Sequence, residues 1–101
     1  MEAKLQELKQ RLGEISDLNA AAAILQWDQS TYMPPGGARA RGRQLALLGL
    51  LAHERATDPA LGRLLDELRP YEESLPPDSD DASLIRVARR DFERDTRVPP
   101  E

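Results

Sequence analysis

The fold of this protein is decided by residues 5–25, which read LQELKQRLGEISDLNAAAAIL. Apolar residues recur there at steps of three and four, the spacing that places side chains along one face of an α-helix. These positions are Leu5, Leu8, Leu12, Ile15, Leu18, Ala22 and Leu25. The pattern predicts a first helix from about residue 2 to about residue 32, in which Gly13 and Ser16-Asp17 are the positions most open to a kink.

A cluster of prolines and glycines ends this first helix. Pro34 disfavours helical backbone at the preceding Met33, and the run 34–37 (Pro-Pro-Gly-Gly) then stops the helix. A second apolar stripe follows and predicts a second helix over about residues 37–56. Its members are Leu45, Leu48, Leu51 and Ala52, with the aliphatic stems of Arg41 and Arg55 along its two ends.

Two further helices are predicted after the second. Thr57-Asp58-Pro59 favours a helix start, because a side-chain oxygen at the N-cap satisfies a free amide and proline is tolerated at the first helical position. This third helix covers about residues 59–69 and buries Leu61, Leu64, Leu65 and Leu68. Residues 70–80 are rich in proline and acids, lack periodicity and predict a surface loop. A fourth helix over about residues 80–97, with an N-cap among 78–80, buries Leu84, Ile85, Ala88 and Phe92.

The composition supports one helical domain. At 101 residues the chain is long enough for a single core. Its apolar residues are mainly leucine and alanine, which favour helices over strands. We therefore predict an all-α domain over residues 1–101, a helical hairpin or bundle of about four helices.

Charge and the absence of cysteine exclude several classes of protein. The net charge is −4, which argues against nucleic acid as a partner because phosphate binding depends on a basic face. Without cysteine there is no disulfide, no thiolate nucleophile and no sulfur-ligated zinc. The chain has neither the pattern of a secretory signal nor an apolar run of about 20 residues. We predict a cytoplasmic protein that does not bind membranes.

The segment His53-Glu54-Arg55-Ala56-Thr57 comes closest to a metallopeptidase motif. In such a motif two histidines one helical turn apart hold zinc, and the glutamate between them activates water. Here Thr57 stands in place of the second histidine, and His53 is the only histidine of the chain. Because a zinc site takes three or four protein ligands, we predict no metal and no catalytic residue here. His53 is interpreted as a helix-end imidazole beside C-terminal carbonyls.

Large amphipathic side chains are concentrated in residues 25–35, which contain the only tryptophan, Trp27, together with Tyr32 and Met33. Such side chains suit either packing between helices or an interface with further protein. On physical grounds alone, packing in the core is the favoured interpretation.

An ordered series of motifs in this chain resembles the start of a known enzyme family. The series is Trp27-Asp28-Gln29, Met33-Pro34-Pro35-Gly36-Gly37-Ala38, Arg41, Gln44-Leu45, Leu51-Ala52-His53-Glu54 and Thr57-Asp58-Pro59. In order and spacing it is similar to the amino-terminal region of the carboxypeptidase Taq family, from about residue 18 to the end. The later Arg86, Arg90 and Val98-Pro99-Pro100-Glu101 resemble that family's fourth helix and the turn into its fifth. The signature and packing residues that we single out are Trp27, Asp28, Gln29, Met33, Pro34, Pro35, Gly36, Gly37, Arg41 and Gln44.

The resemblance implies a metal-dependent carboxypeptidase that removes residues from peptide C-termini, with zinc or cobalt in its site and usually a homodimer. It also implies a helical fold of two lobes around a deep groove, as in neurolysin-type peptidases. The family's His-Glu-x-x-His motif and third ligand lie far downstream of this region, so no catalytic or metal residue is carried over. This chain is expected to supply about a fifth of the enzyme, as helices flanking the groove, and to be inactive alone. Trp27, Tyr32 and Met33 are expected to pack against later helices.

Two alternatives from other classes remain open on the sequence. One is a free-standing helical module whose leucine faces bind a partner or a second copy. The other is a helix-turn-helix protein formed by helices two and three, in which Arg39, Arg41, Arg43 and Arg55 supply a basic face. Asp58, Asp66 and Glu67 place the wrong charge on the helix that would enter the DNA groove.

Overall fold

The computed structural model describes residues 2–31 and 37–97, with side chains for all of these except 28–31 and 38. The described residues form five α-helices: α1 (Glu2–Thr31), α2 (Ala38–Ala56), α3 (Pro59–Glu67), α4 (Arg69–Ser74) and α5 (Asp80–Arg97). No strand occurs among them, so the all-α prediction is confirmed. The predicted turn into a further helix at residues 98–101 lies outside the described residues.

The helices α1 and α2 form a long antiparallel hairpin. At one end the guanidinium of Arg41 donates a hydrogen bond of 3.3 Å from Nη1 to the carbonyl oxygen of Leu25. At the other end Nε of Arg55 lies 3.8 Å from Oε1 of Glu14. Helix α1 passes unbroken through Gly13 and its neighbours and, at 1.5 Å per residue, is about 45 Å long. The molecule is therefore elongated, with extents of 56 × 27 × 20 Å.

The hydrophobic core lies at only one end of this hairpin. There α3 and α5 pack against the first half of α1, and the residues that form the buried cluster are Leu5, Leu8, Leu61, Leu64, Leu65, Leu68, Ile85 and Ala88. The predicted buried faces of helix three and of the last helix are thus confirmed, although Leu84 and Phe92 are only partly buried. Farther along α1, Leu18, Ala22 and Leu25 are half-buried.

Two of the predicted helix starts are confirmed by their hydrogen bonds. Oδ1 of Asp58 accepts a hydrogen bond of 2.9 Å from the backbone amide of Ala60, with Pro59 at the first helical position. Oγ of Ser79 accepts one of 3.2 Å from the amide of Ala82. Each side chain satisfies an amide that has no partner inside its own helix, which stabilises the helix start by about 1 kcal/mol.

The predicted surface loop after Pro70 is wrong in its first part. The third helix ends at Glu67 rather than near residue 69, and Leu68, with helical backbone angles, leads directly into α4. Pro70 lies at the start of α4, where its missing amide costs nothing, so it begins a helix instead of ending one. The amide of Glu72 donates to the carbonyl of Leu68 at 2.9 Å. Only residues 75–79 connect α4 to α5.

Helices α3 and α5 approach each other closely where Gly62 meets Phe92. A Cβ atom on Gly62 would lie 2.7 Å from Cζ of the Phe92 ring, well inside van der Waals contact. A larger residue at this position would therefore force the Phe92 ring to shift from its place between the two helices.

Candidate functional site

The signature residues at the end of α1 are described only in part. Trp27 lies in the last turns of α1 and its side chain is 68% exposed. The interpretation that it packs in the core of this chain is therefore wrong for Trp27. The side chains of Asp28 and Gln29, together with Tyr32, Met33, Pro34, Pro35 and Gly36, lie outside the described residues. The structure therefore describes the backbone of this region up to Thr31 and again from Gly37.

The signature residues of α2 differ in their roles. Gly37 is the N-cap of α2 and, having no side chain, makes no side-chain capping bond. Arg41 contacts the end of α1 through its bond to the carbonyl of Leu25, and so holds the two helices together. Gln44 is exposed. Arg41 is thus a signature residue that links the two helices.

His53 lies near the end of α2 with its side chain exposed. Its carbonyl oxygen accepts hydrogen bonds from Thr57, of 3.0 Å from the backbone amide and 2.8 Å from Oγ1. Thr57, the residue that stands in place of a second zinc-binding histidine, thus caps the C-terminus of α2. The position of His53 in the last turn agrees with the predicted helix-end imidazole, where a positive charge is favourable.

A cleft of about 370 Å³ lies beside His53, between the hairpin and α5. Its floor is apolar, and the side chains that form it include Leu12, Ile15, Ala52, Leu61 and Phe92. Its rim carries Arg94, which lies 3.5 Å from Asp91 and 3.2 Å from Asp95. The hydrogen bond that Nε of Arg94 donates to Oδ1 of Asp95 is the main cause that raises the pKa of the Arg94 guanidinium above its ordinary value. The charges of Asp91, Arg94 and Asp95 on the rim are therefore paired with one another.

The described residues do not fit a hydrolytic metal ion. Among residues 2–31 and 37–97 no three His, Cys, Asp or Glu side chains lie close enough to hold one, whereas zinc takes at least three protein ligands. Asp58, which follows the motif at 53–57, caps α3 and lies 3.6 Å from the guanidinium of Arg11. The side chains described in these two ranges therefore do not assemble a site for metal-assisted hydrolysis.

An ion pair that the sequence did not predict joins α4 and α5. Arg89 donates from Nη1 to Oε1 of Glu72, and both side chains are largely buried. Nη2 of Arg89 also donates to the carbonyl oxygen of Leu65 at 3.1 Å. This arginine therefore joins three helices. The pair could not be predicted from spacing, because Glu72 fell in the segment interpreted as a loop.

No described helix combines the length and the apolar composition needed to cross a bilayer. The five helices thus carry no membrane-spanning segment within the residues that the structure describes.

Comparison with known proteins gives consistent matches over nearly the whole chain. The model of the carboxypeptidase Taq (M32) metallopeptidase family matches residues 7–101. Thermostable carboxypeptidase 1 of Thermus thermophilus is 36% identical over 98 residues, which are 97% of this chain and 19% of that protein.

Solved structures show the same arrangement of helices. The crystal structure of the M32 carboxypeptidase from Deinococcus radiodurans R1 matches with a TM-score of 0.83 and 41% identity, covering 96% of this chain and 19% of that one. The structure of CHT matches with a TM-score of 0.82 and 35% identity, over the same shares. The chain thus spans about a fifth of the length of the relatives it matches.

Proposed function

The chain belongs to the carboxypeptidase Taq (M32) metallopeptidase family, and from this membership we propose that it is the amino-terminal scaffold of a metal-dependent carboxypeptidase. Such an enzyme hydrolyses the last peptide bond of a peptide and releases the C-terminal residue. The observation that carries the proposal is the family match over residues 7–101. A TM-score of 0.83 to an M32 carboxypeptidase at 41% identity supports it.

In this proposal the helices described here bind no metal and perform no proton transfer. The zinc or cobalt ion would be held by residues outside this chain, where it would polarise the peptide carbonyl and activate water. The support is the donor set, since the chain has one histidine and no cysteine and no cluster of three ligands among the described residues. The fragment alone is then inactive.

The scaffold contributes by positioning a peptide and excluding water from the groove that it flanks. Rigid walls are needed for this role, and the contact between Arg41 and the end of α1 stiffens the hairpin at the signature region. The whole enzyme is proposed to act in the cytoplasm and to form a homodimer.

A peptide-trimming assay tests this proposal. The purified 101-residue chain is incubated with a mixture of peptides in the presence of zinc or of cobalt, and products are followed by mass spectrometry. Thermus thermophilus carboxypeptidase 1 serves as the positive control. We expect no stepwise loss of C-terminal residues with the chain alone. Metal-dependent trimming that persists after further purification would show that the chain itself is catalytic.

A further inference from the structure

We propose that a groove lined by arginines along α5 binds short acidic peptides in an extended conformation. The arginine groove, as we name it, has a volume of about 470 Å³. The side chains that line it all belong to α5, and they are Arg86, Arg89, Arg90, Glu93, Arg94 and Arg97. This inference goes beyond the proposed function and does not depend on it, because it follows from the charges of one helix and needs no metal ion.

The arginine groove is basic on a chain that is acidic overall. Its lining carries five guanidinium groups and one carboxylate, whereas the whole chain has a net charge of −4. An anion near the protein is therefore attracted to this groove and repelled by much of the remaining surface. Such a separation of charge favours a short anionic ligand over a long polyanion, because a long one would extend onto acidic surface.

The helical repeat places arginines of the groove in one row along α5. At about 100° per residue, Arg86, Arg90 and Arg97 lie within about 40° of one another around the helix axis, and all three side chains are exposed. Asp91 and Asp95 lie about 120° and about 160° away from the middle of this row, where they line the apolar cleft between the hairpin and α5. These two carboxylates therefore lie to one side of the row and do not interrupt it.

The exposed arginines at the start of the row are weakly neutralised by the chain itself. Arg86 donates to the carbonyl oxygen of Pro77 at 3.3 Å and to Oγ of Ser83 at 3.2 Å, and both of these acceptors are uncharged. Nε of Arg90 lies 3.9 Å from Oδ1 of Asp91, and the Arg90 side chain is 75% exposed. Exposed ion pairs of this kind contribute little to stability. The carboxylate of a ligand can therefore replace the internal partner at small cost.

The spacing of the arginines matches an extended peptide that has an acid at every second residue. Arg86, Arg90 and Arg94 follow one another at about 6 Å along the helix axis. In an extended chain, side chains two residues apart lie on the same side and about 6.6 Å from one another. Guanidinium groups bind carboxylates through paired, charge-assisted hydrogen bonds, so about three alternate acids can each meet one arginine.

Nucleic acid is a less suitable ligand for this groove. Proteins that bind single strands combine a basic track with aromatic side chains on which the bases stack. The lining of the arginine groove consists of arginine and glutamate, so it offers the bases no aromatic ring. A peptide needs no such ring, because its acidic side chains make the contacts.

Fluorescence anisotropy of labelled peptides tests the proposal on the 101-residue chain. The probe is a nonapeptide in which glycine alternates with four glutamates. One control has glutamine in place of glutamate, and the other has the four glutamates grouped together. We expect the alternating acidic peptide to bind about ten-fold more tightly than the glutamine peptide and about three-fold more tightly than the grouped one. Equal binding of the two acidic peptides, or tighter binding of a single-stranded oligothymidylate, overturns the proposal.

Two variants of the groove and one matched control locate the binding site. Arg86→Gln/Arg90→Gln should weaken binding of the alternating peptide by about ten-fold. The control Arg39→Gln/Arg43→Gln removes the same charge from exposed positions of α2 and should weaken binding by less than about two-fold. Glu93→Gln removes the acid from the groove and should tighten binding by about two-fold, a gain that misfolding cannot produce. Equal effects of the two double variants, or no gain from Glu93→Gln, overturn the proposal.

Sedimentation of the chain without peptide detects self-association through the groove. Residues 72–81 include five acids, and so offer an acidic segment to the groove of a second copy. We expect a monomer at the concentrations used to measure peptide binding. A dimer that Arg86→Gln/Arg90→Gln dissociates would make a second copy the occupant and overturn the proposal.

Discussion

The two ends of α1 are built from the same apolar repeat but have different surroundings. At the core end, which comprises residues 2–16 of α1 with α3, α4 and α5, Leu8 is completely buried. Three ion pairs also join this part of α1 to its neighbours. Lys4 pairs with Glu67 of α3, Arg11 pairs with Asp58 at the N-cap of α3, and Lys9 pairs with Asp81 of α5. At the hairpin end, which comprises residues 18–27 of α1 and 41–50 of α2, α2 packs along one side only.

The comparison teaches that helical periodicity specifies a face but not how completely it is covered. The stripe of α1 continues through Leu18, Ala22 and Leu25, which are half-buried, while Ile24 beside them is 67% exposed. We expect the stability of the isolated chain to reside in the core end. Substitutions there should be costly, and matched substitutions in the hairpin end should have small effects.

Leu8→Ala should give the largest effect. Removing a fully buried leucine side chain leaves a cavity and should lower the free energy of unfolding by about 3 kcal/mol. Ile24→Ala, on the exposed side of the same helix, should change it by less than about 0.5 kcal/mol. Urea unfolding followed by circular dichroism measures both. Equal losses would mean that the hairpin end is packed as tightly as the core end in the isolated chain.

Glu72→Gln should come next, with a loss of about 2 kcal/mol, because it leaves the largely buried guanidinium of Arg89 without its carboxylate. The matched change Glu14→Gln breaks an exposed pair with Arg55 in the hairpin and should cost at most about 0.5 kcal/mol. Chemical unfolding of both variants gives the comparison. A cost at Glu14 equal to that at Glu72 would contradict the difference in burial.

Gly62→Ala and Gly49→Ala should change stability in opposite directions. At Gly62 a Cβ atom would lie 2.7 Å from Phe92, so overpacking should destabilise by about 1–2 kcal/mol. At Gly49, in α2, a Cβ atom has nothing within 4 Å, so the better helix former should stabilise by about 0.5–1 kcal/mol. Thermal unfolding midpoints measure both signs. Stabilisation by Gly62→Ala would show that α3 and α5 are less tightly packed than described.

Asp58→Ala should have the smallest of these effects, a loss of about 1 kcal/mol, because it removes the cap of α3 where the hairpin joins the core end. Asp58→Asn keeps a capping oxygen and loses only the exposed ion pair with Arg11, so most of the stability should remain. Thermal unfolding of the two variants distinguishes the cap from the ion pair. Equal losses would assign the effect to the charge.

Much of the fold was predictable because its determinants are local. The apolar spacing predicted α1, α2, α3 and α5, and the caps at Asp58 and Ser79 marked two of their starts. Helix α4 was missed because Pro70 is compatible with either the end or the start of a helix. The choice depended on the contacts that follow it, among them the pair between Glu72 and Arg89.

The candidate site was predictable in a more limited way. A chain with one histidine and no cysteine cannot supply the nitrogen and sulfur ligands of a conventional zinc site, and counting residues is enough to say so. The exposure of Trp27 could not be read from its sequence neighbours, because large amphipathic residues suit cores and interfaces equally well. The exposure of Trp27 depends on where α2 packs against α1, and neighbouring residues in the sequence do not specify that position.

By itself the sequence determined where helices form, which face of each is apolar and that few metal ligands are present, because these depend on residue type and on contacts a few positions apart. The tertiary structure decided which parts of those faces are covered. It placed α3 and α5 against the first half of α1 and left Ile24, Trp27, Leu47 and Leu50 exposed. Burial depends on which elements meet in space, and that is a property of the whole arrangement of helices and not of any one of them.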